Sequence, residues 1–257
     1  MDLPLPLPAL VASLLIVFGA GVVRGFAGFG FSALCVAGMS LYLPPAQVVP
    51  PVFMLEVLAS LSLLRGAWQH VDWRWLGWLV AGNALCIPLG VALLAFVAET
   101  PLRALIGSLL LVAALLLRSG WQLALPPGSG LRLATGMISG LVNGVAAIGG
   151  IAVAVMLSAA PIAPAALRAT MIYLFLFTDL YALAWAALLP ALHADQLLGA
   201  ASVTLTLWLA PAMLVGIWIG QRRFAGVSPR RFRRWVLDLL AGIAAVAVLR
   251  ALLEWRG

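Results

Sequence analysis

Arg24 stands directly ahead of three glycines, Gly25, Gly28 and Gly30, inside a long apolar stretch. That combination can bind an anion. Glycine lacks a Cβ, so a helix can break at such a cluster and a ligand can approach its backbone. The second half of a broken helix presents unpaired N–H groups, and that end carries a partial positive charge. Those N–H groups with a guanidinium beside them form a site for a small anion. The arrangement occurs twice. Residues 21–31 read GVVRGFAGFGF and residues 140–150 read GLVNGVAAIGG. Slid by 119 positions, five of eleven match: Gly21, Val23, Gly25, Ala27 and Gly30 meet Gly140, Val142, Gly144, Ala146 and Gly149. Asn143 replaces Arg24 as a neutral donor, and Gly149 and Gly150 mark the second break. Two glycine-interrupted apolar segments in matching positions point to the binding site of a carrier built from repeats. The competing reading is tight packing, because Gly136, Gly140 and Gly144 form a small-xxx-small ridge. Gly149 and Gly150 lie beyond that ridge.

Glu56 and Asp179 are the acidic residues deepest in apolar segments. Carboxylates in such places pair, relay protons or contact a coupling ion. At the 119 offset Glu56 meets Phe175, so Asp179 lies one helical turn further along and on the corresponding face. Both are candidates for proton coupling. The alternative is a structural ion pair with Arg24 or Arg168. Arg168 opens a later span and reads either as an interfacial arginine or as a charge that attracts substrate. Eleven residues separate it from Asp179, about 16 Å along a helix, so the two cannot touch within it. Asn83 is expected to hydrogen-bond between helices.

These residues need long apolar elements to hold them. The first stretch, about 9–43, would measure about 50 Å as one helix, against a hydrocarbon core of about 30 Å. It must tilt, break or double back, and the glycines mark where. Pro44 and Pro45 end it. Further spans are expected at about 46–64, 75–97 and 102–118. Residues 119–130 form a loop, and a second broken segment covers about 131–157. Spans at about 165–189, 196–219 and 235–253 follow. Other landmarks recur in order: His70-x-Asp72 with His193-x-Asp195, and Pro101-x-Arg103 with Pro229-x-Arg231. The expected fold is a single all-α polytopic membrane domain over 1–257, with homologous repeats at about 9–118 and 131–253. Each repeat has a glycine-broken first segment followed by three membrane-spanning helices.

Composition agrees with a membrane protein. The chain is 65% hydrophobic and 9% charged, where soluble domains carry about 25% charged residues. The ~10-residue alternation of an outer-membrane barrel does not occur. The N-terminal MDLPLPLPALV has no basic region and no small-residue cleavage site, so the first segment is expected to stay in the mature protein. All fifteen basic residues are arginine, and six lie within 222–234. Between apolar spans that run reads as a cytoplasmic loop, 221–234, rather than as a nucleic-acid site. Cys35 and Cys86 form no metal-type pair, and no cofactor or metal is expected.

Orientation turns on whether the broken segments cross the membrane or double back. If they cross, the repeats are parallel and Arg65, Arg74, Arg118 and Arg132 lie opposite the arginine-rich loop. If they double back, the repeats are inverted and those arginines join it. The positive-inside rule favours doubling back.

The chain resembles the TauE/SafE family of anion and sulfite exporters, also called TSUP. The resemblance lies in VRGFAGFG at 23–30, VPPVFMLEVLASLSLL at 49–64, HVDWRWL at 70–76, IPLG at 87–90, GLVNGVAAIGG at 140–150 and the Arg168-Ala-Thr-Met run. It covers nearly the whole chain. Val-Ala-Ala between Gly144 and Ile148 is poorer in glycine and threonine than the family pattern. The resemblance implies a multi-pass carrier of the bacterial inner membrane that moves small anions such as sulfite or organosulfonates, usually outward. Its partners would be the anion and the bilayer, with a homodimer left open. Two other classes compete. A lipid-pyrophosphate phosphatase needs clustered acids and a Ser/Arg-rich phosphate loop, which this chain lacks. A membrane assembly subunit needs neither paired breaks nor buried carboxylates.

Overall fold

The computed structural model describes residues 3–96, 99–120, 128–188, 199–223, 237–238, 240–246 and 249. The His193-x-Asp195 and Pro229-x-Arg231 landmarks, and loop 221–234 beyond Arg223, lie outside them. The described elements are helical: α1 Leu7–Ala27, α2 Phe31–Met39, α3 Pro45–Leu63, α4 Trp73–Phe96, α5 Glu99–Ser119, α6 Ser129–Ala146, α7 Gly150–Ala159, α8 Pro164–Leu188 and α9 Ala200–Arg223. A 3-10 turn spans Trp68–His70. Six helices, namely α1, α3, α4, α5, α8 and α9, are long and apolar enough to cross a membrane.

Local chemistry sets the boundaries. Pro45 opens α3 where its missing N–H costs nothing. The Asp72 carboxylate accepts the Trp75 N–H at 3.0 Å and caps α4, which gives the His70-x-Asp72 landmark a structural role. At the end of α1, Gly28 adopts φ 82° and its N–H donates to the Arg24 carbonyl at 2.8 Å. At the end of α6, Ala147 adopts φ 56° and its N–H donates to the Asn143 carbonyl at 2.7 Å. These left-handed caps lie 119 positions apart. So do the starts of α2 and α7, and those of α3 and α8.

The first broken segment doubles back. A Cβ on Gly38 in α2 would lie 3.1 Å from Ile16 Cδ1 in α1. The Tyr42 and Ser13 hydroxyls hydrogen-bond at 2.9 Å. Had α2 continued in line, Gly38 would stand roughly 33 Å from Ile16.

Glycine seams fix which helices lie together. A Cβ on Gly21 would meet the Met213 carbonyl oxygen at 2.6 Å, and one on Gly25 would overlap that of Ile217, so α1 lies directly on α9. Gly216 and Gly220 meet α1 from the other side. Gly82 and Gly90 on α4 interlock likewise with Gly136 and Gly144 on α6. The Ser139 hydroxyl donates to Asn83 Oδ1 across this seam at 3.2 Å, which is the interhelical bond expected of Asn83.

The seams also give direction. Positions rise together along α1 and α9, and along α4 and α6. The Asp72 N–H donates to Thr170 Oγ1 and the Tyr181 hydroxyl to the Ala84 carbonyl, so α8 runs with α4. Ser13 meets Tyr42 just ahead of α3, and Arg24 meets Ser60, so α1 runs with α3. Helices α1, α3 and α9 therefore point one way, and α4, α6 and α8 the other. The α1/α6 and α3/α8 pairs, matched at the 119 offset, are antiparallel. Arg65, Arg74, Arg132, Arg222 and Arg223 share one end of the bundle.

Candidate anion site at the helix breaks

Arg24 is fully buried, and the packing of α1, α3 and α8 decides what it meets. Its Nη1 donates to the Gly28 carbonyl at 2.7 Å, and its Nη2 to Ser60 Oγ at 2.9 Å. Nη2 also pairs with Glu56 Oε2 at 3.3 Å. The guanidinium carbon lies 4.3 Å from the centre of the Phe175 ring, a cation–π contact strengthened by desolvation. The other Glu56 oxygen, Oε1, accepts the Ser32 N–H at 3.1 Å. Glu56 thus occupies the start of α2, where the free N–H groups favour negative charge. Arg24 and Glu56 satisfy the two ends of the break and each other. A substrate anion at α2 has to take the place of Glu56.

The second break is closed with neutral groups. Asn143 Oδ1 accepts the Gly149 N–H at 3.2 Å, and its Nδ2 donates to Asp179 Oδ1 at 2.9 Å. Asp179 Oδ2 has no hydrogen-bond partner among the described residues. Phe175, the positional counterpart of Glu56, lays its ring where a Cβ on Gly150 would fall. Arg24, Glu56 and Asp179 lie within electrostatic range of one another. The two breaks therefore share one buried cluster of one cation and two carboxyl groups.

Arg168 is placed differently. Its Nη2 donates to the Gly25 carbonyl at 2.9 Å, close to the exposed carbonyl end of α1. Its aliphatic stem fills the space a Cβ on Gly28 would need. Its Nε has no hydrogen-bond partner among the described residues. It does not bond Asp179, whose partners are Asn143 and, at 3.5 Å, Thr178. Arg168 lines a cavity of about 580 Å³ with Ala27, Phe29 and Gly30 of the first break and Ile151 just past the second.

Of the residues singled out in the sequence, Gly30 and Arg168 reach this cavity. Arg24, Glu56, Asn143 and Asp179 form the buried cluster behind it. Gly25 and Gly149 serve close packing, against Ile217 and the Ser139 carbonyl. Sequence inspection missed Ser32, Ser60 and Phe175. Ser60 was within reach, because it lies four residues after Glu56 on the same helical face. Among the described residues no group of three His, Cys, Asp or Glu side chains is placed to hold a metal.

A family model described as "Sulfite exporter TauE/SafE" matches residues 13–247. No curated protein and no solved structure matches the chain.

Proposed function

The chain belongs to the TauE/SafE sulfite exporter family, and we propose that it is a secondary carrier moving a small anion out across the bacterial inner membrane. It acts as a transporter and not as an enzyme. The observation that carries this reading is the position of Arg168. Arg168 lines a cavity of about 580 Å³ next to the first break, and Arg24 lies buried behind it. Arg168 lies within electrostatic range of Arg24, the only fully buried cation among the described residues. The antiparallel matched helices and the 119-residue offset of the breaks support an inverted duplication, the plan that lets a carrier open alternately to either side. The end bearing Arg65, Arg74, Arg132 and Arg222 is cytoplasmic on the positive-inside rule.

The buried cluster supplies the coupling. With both carboxyls ionised it carries one net negative charge in a medium that strongly disfavours it. Binding one proton makes the cluster neutral. An anion that displaces Glu56 from Arg24 and the Ser32 N–H changes that balance, so anion and proton occupancy are linked. The test is flux of labelled sulfite in proteoliposomes holding the purified chain, with Arg168→Gln alongside. Saturable flux weakened by the substitution is expected. No flux with sulfite, organosulfonates or carboxylates refutes the reading.

A further inference from the structure

The Phe175 ring touches both helix breaks. Glu56 closes the start of α2 through the Ser32 N–H, and at the matching position Phe175 closes the start of α7, its ring edge filling the space a Cβ on Gly150 would need. The face of the same ring lies 4.3 Å from the Arg24 guanidinium carbon. One ring thus separates the buried cation from α7. Arg24 and Phe175 are both buried, and Arg24 Nε has no hydrogen-bond partner among the described residues.

The ring also stands at the inner limit of the cavity. Ile151 and Arg168 line that cavity, and Gly150, which meets the ring, is the neighbour of Ile151. Phe175 follows Arg168 by seven residues in α8, two turns deeper on the same face. Asp179 follows one turn further on. A single face of α8 therefore carries Arg168 at the cavity, then the ring, then a carboxyl of the buried cluster. This closure is easier to open than the one at α2. An aromatic face holds a guanidinium less firmly than a carboxylate does, and the ring leaves by side-chain rotation alone. Displacing Glu56 breaks a buried ion pair.

We infer that Phe175 is the gate between the cavity and the buried cluster: its ring stands in for an anion on Arg24 and swings away from Gly150 when one arrives. The assignment rests on the carrier reading and adds an order to it. The arriving anion meets the ring first and Glu56 second. With the ring in place, the cavity is sealed from Asp179, so neither anion nor proton passes the cluster alone.

The experiment uses the full chain in proteoliposomes and measures net sulfite flux with and without an imposed pH gradient, at clamped membrane potential. In Phe175→Ala, flux without the gradient should rise towards the gradient-driven rate, and acceleration by the gradient should be lost. Benzene occupies apolar voids of the kind such a truncation leaves. It should restore the acceleration in Phe175→Ala and leave the wild type unchanged. A residue that only packs would lower abundance and keep the ratio of the two fluxes, and that result overturns the gate. So does a leak that benzene leaves untouched. If Phe175→Ala is not produced, Phe175→Leu takes its place, because leucine lacks the ring atoms that meet Gly150. It should lose the acceleration too, and a wild-type ratio overturns the assignment. A wild type that moves no anion refutes the carrier reading instead, and one whose flux ignores the gradient refutes the coupling. In both cases hydrogen exchange of the backbone amides at 150–154 decides the gate. Faster exchange in the variant, slowed again by benzene, supports it, and wild-type exchange overturns it.

Discussion

Arg24 and Glu56 pair at 3.3 Å with both side chains closed to solvent, and each also holds one end of the same broken helix. Arg24 takes the Gly28 carbonyl, and Glu56 takes the Ser32 N–H. Removing either partner strands the other as a buried charge. Breaking such a pair costs about 3–5 kcal/mol. Glu56→Gln and Arg24→Gln should therefore both lower the thermal stability of the purified protein and its abundance in membranes. The double variant should lose less than the sum, because neither member of the pair is left facing a missing partner. Additive losses on melting would mean that the two residues do not act as a pair.

Arg168 differs because it is only partly buried and lines the cavity. Arg168→Gln removes a charge-assisted donor but leaves Arg24 and Glu56 in place. A hydrogen bond to a charged group contributes about 1.5–3 kcal/mol, which corresponds to roughly a 10- to 150-fold rise in KM for the transported anion. Abundance should change little, and Arg168→Lys should restore part of the affinity. A fall in abundance with unchanged KM would assign Arg168 to holding the Gly25 carbonyl alone.

Ala147 occupies the left-handed cap at φ 56° that Gly28 occupies in the first break. A side chain in that conformation costs about 1–2 kcal/mol. Ala147→Gly is therefore expected to stabilise the protein by about 1 kcal/mol, raising its melting temperature. The reverse change, Gly28→Ala, should destabilise it more, because its Cβ also meets the Arg168 stem. A lower melting temperature for Ala147→Gly would contradict the strain argument.

These positions show how far the sequence could be read. Gly28, Gly30 and Gly149 announced the breaks because glycine acts on the local backbone, and Pro44 and Pro45 announced the start of α3 for the same reason. Ala147 gave no such signal, since its conformation is imposed by the packing around it. The partners of Arg24 were harder still. The expected ligand of the α2 start was a substrate, but Glu56 fills it, and only the tertiary placement of α3 decides that. The bond from Arg168 to Gly25 spans 143 residues and has no trace in either local pattern. Apolar length marked the spans, and the Gly136, Gly140 and Gly144 ridge was legible as a packing surface, but not which helix would share it.

The shared position of Arg65, Arg74, Arg132 and Arg222 makes orientation testable. Cysteine at Ser119 or Ser228, in a background lacking Cys35 and Cys86, should be labelled by an impermeant reagent only after the cytoplasmic face is opened. Ser119 is exposed beside Arg118, whose guanidinium pairs with Asp238. Ser228 lies in the arginine-rich 221–234 segment. Labelling of either site in intact cells would invert the assigned topology.

Glu56 and Asp179 are not held alike. Glu56 already has a guanidinium and a backbone N–H as partners. Asp179 accepts from the Asn143 amide at 2.9 Å and from Thr178 at 3.5 Å, its Oδ2 has no hydrogen-bond partner among the described residues, and the Glu56 charge lies within electrostatic range. The elements around it bring Arg24 from α1 and Glu56 from α3, and α6 contributes the uncharged Asn143. On the proposed reading, Asp179 is the group that gives and takes the coupling proton. Asp179→Asn fixes the neutral form without stranding Arg24, which keeps Glu56. That variant should reach the membrane in normal amounts and still exchange anion for anion. It should also lose the acceleration of net anion flux by an imposed pH gradient. Glu56→Gln should fail earlier, through lost stability. A wild-type response to the gradient in Asp179→Asn would remove the proton from the mechanism and leave membrane potential as the driving force.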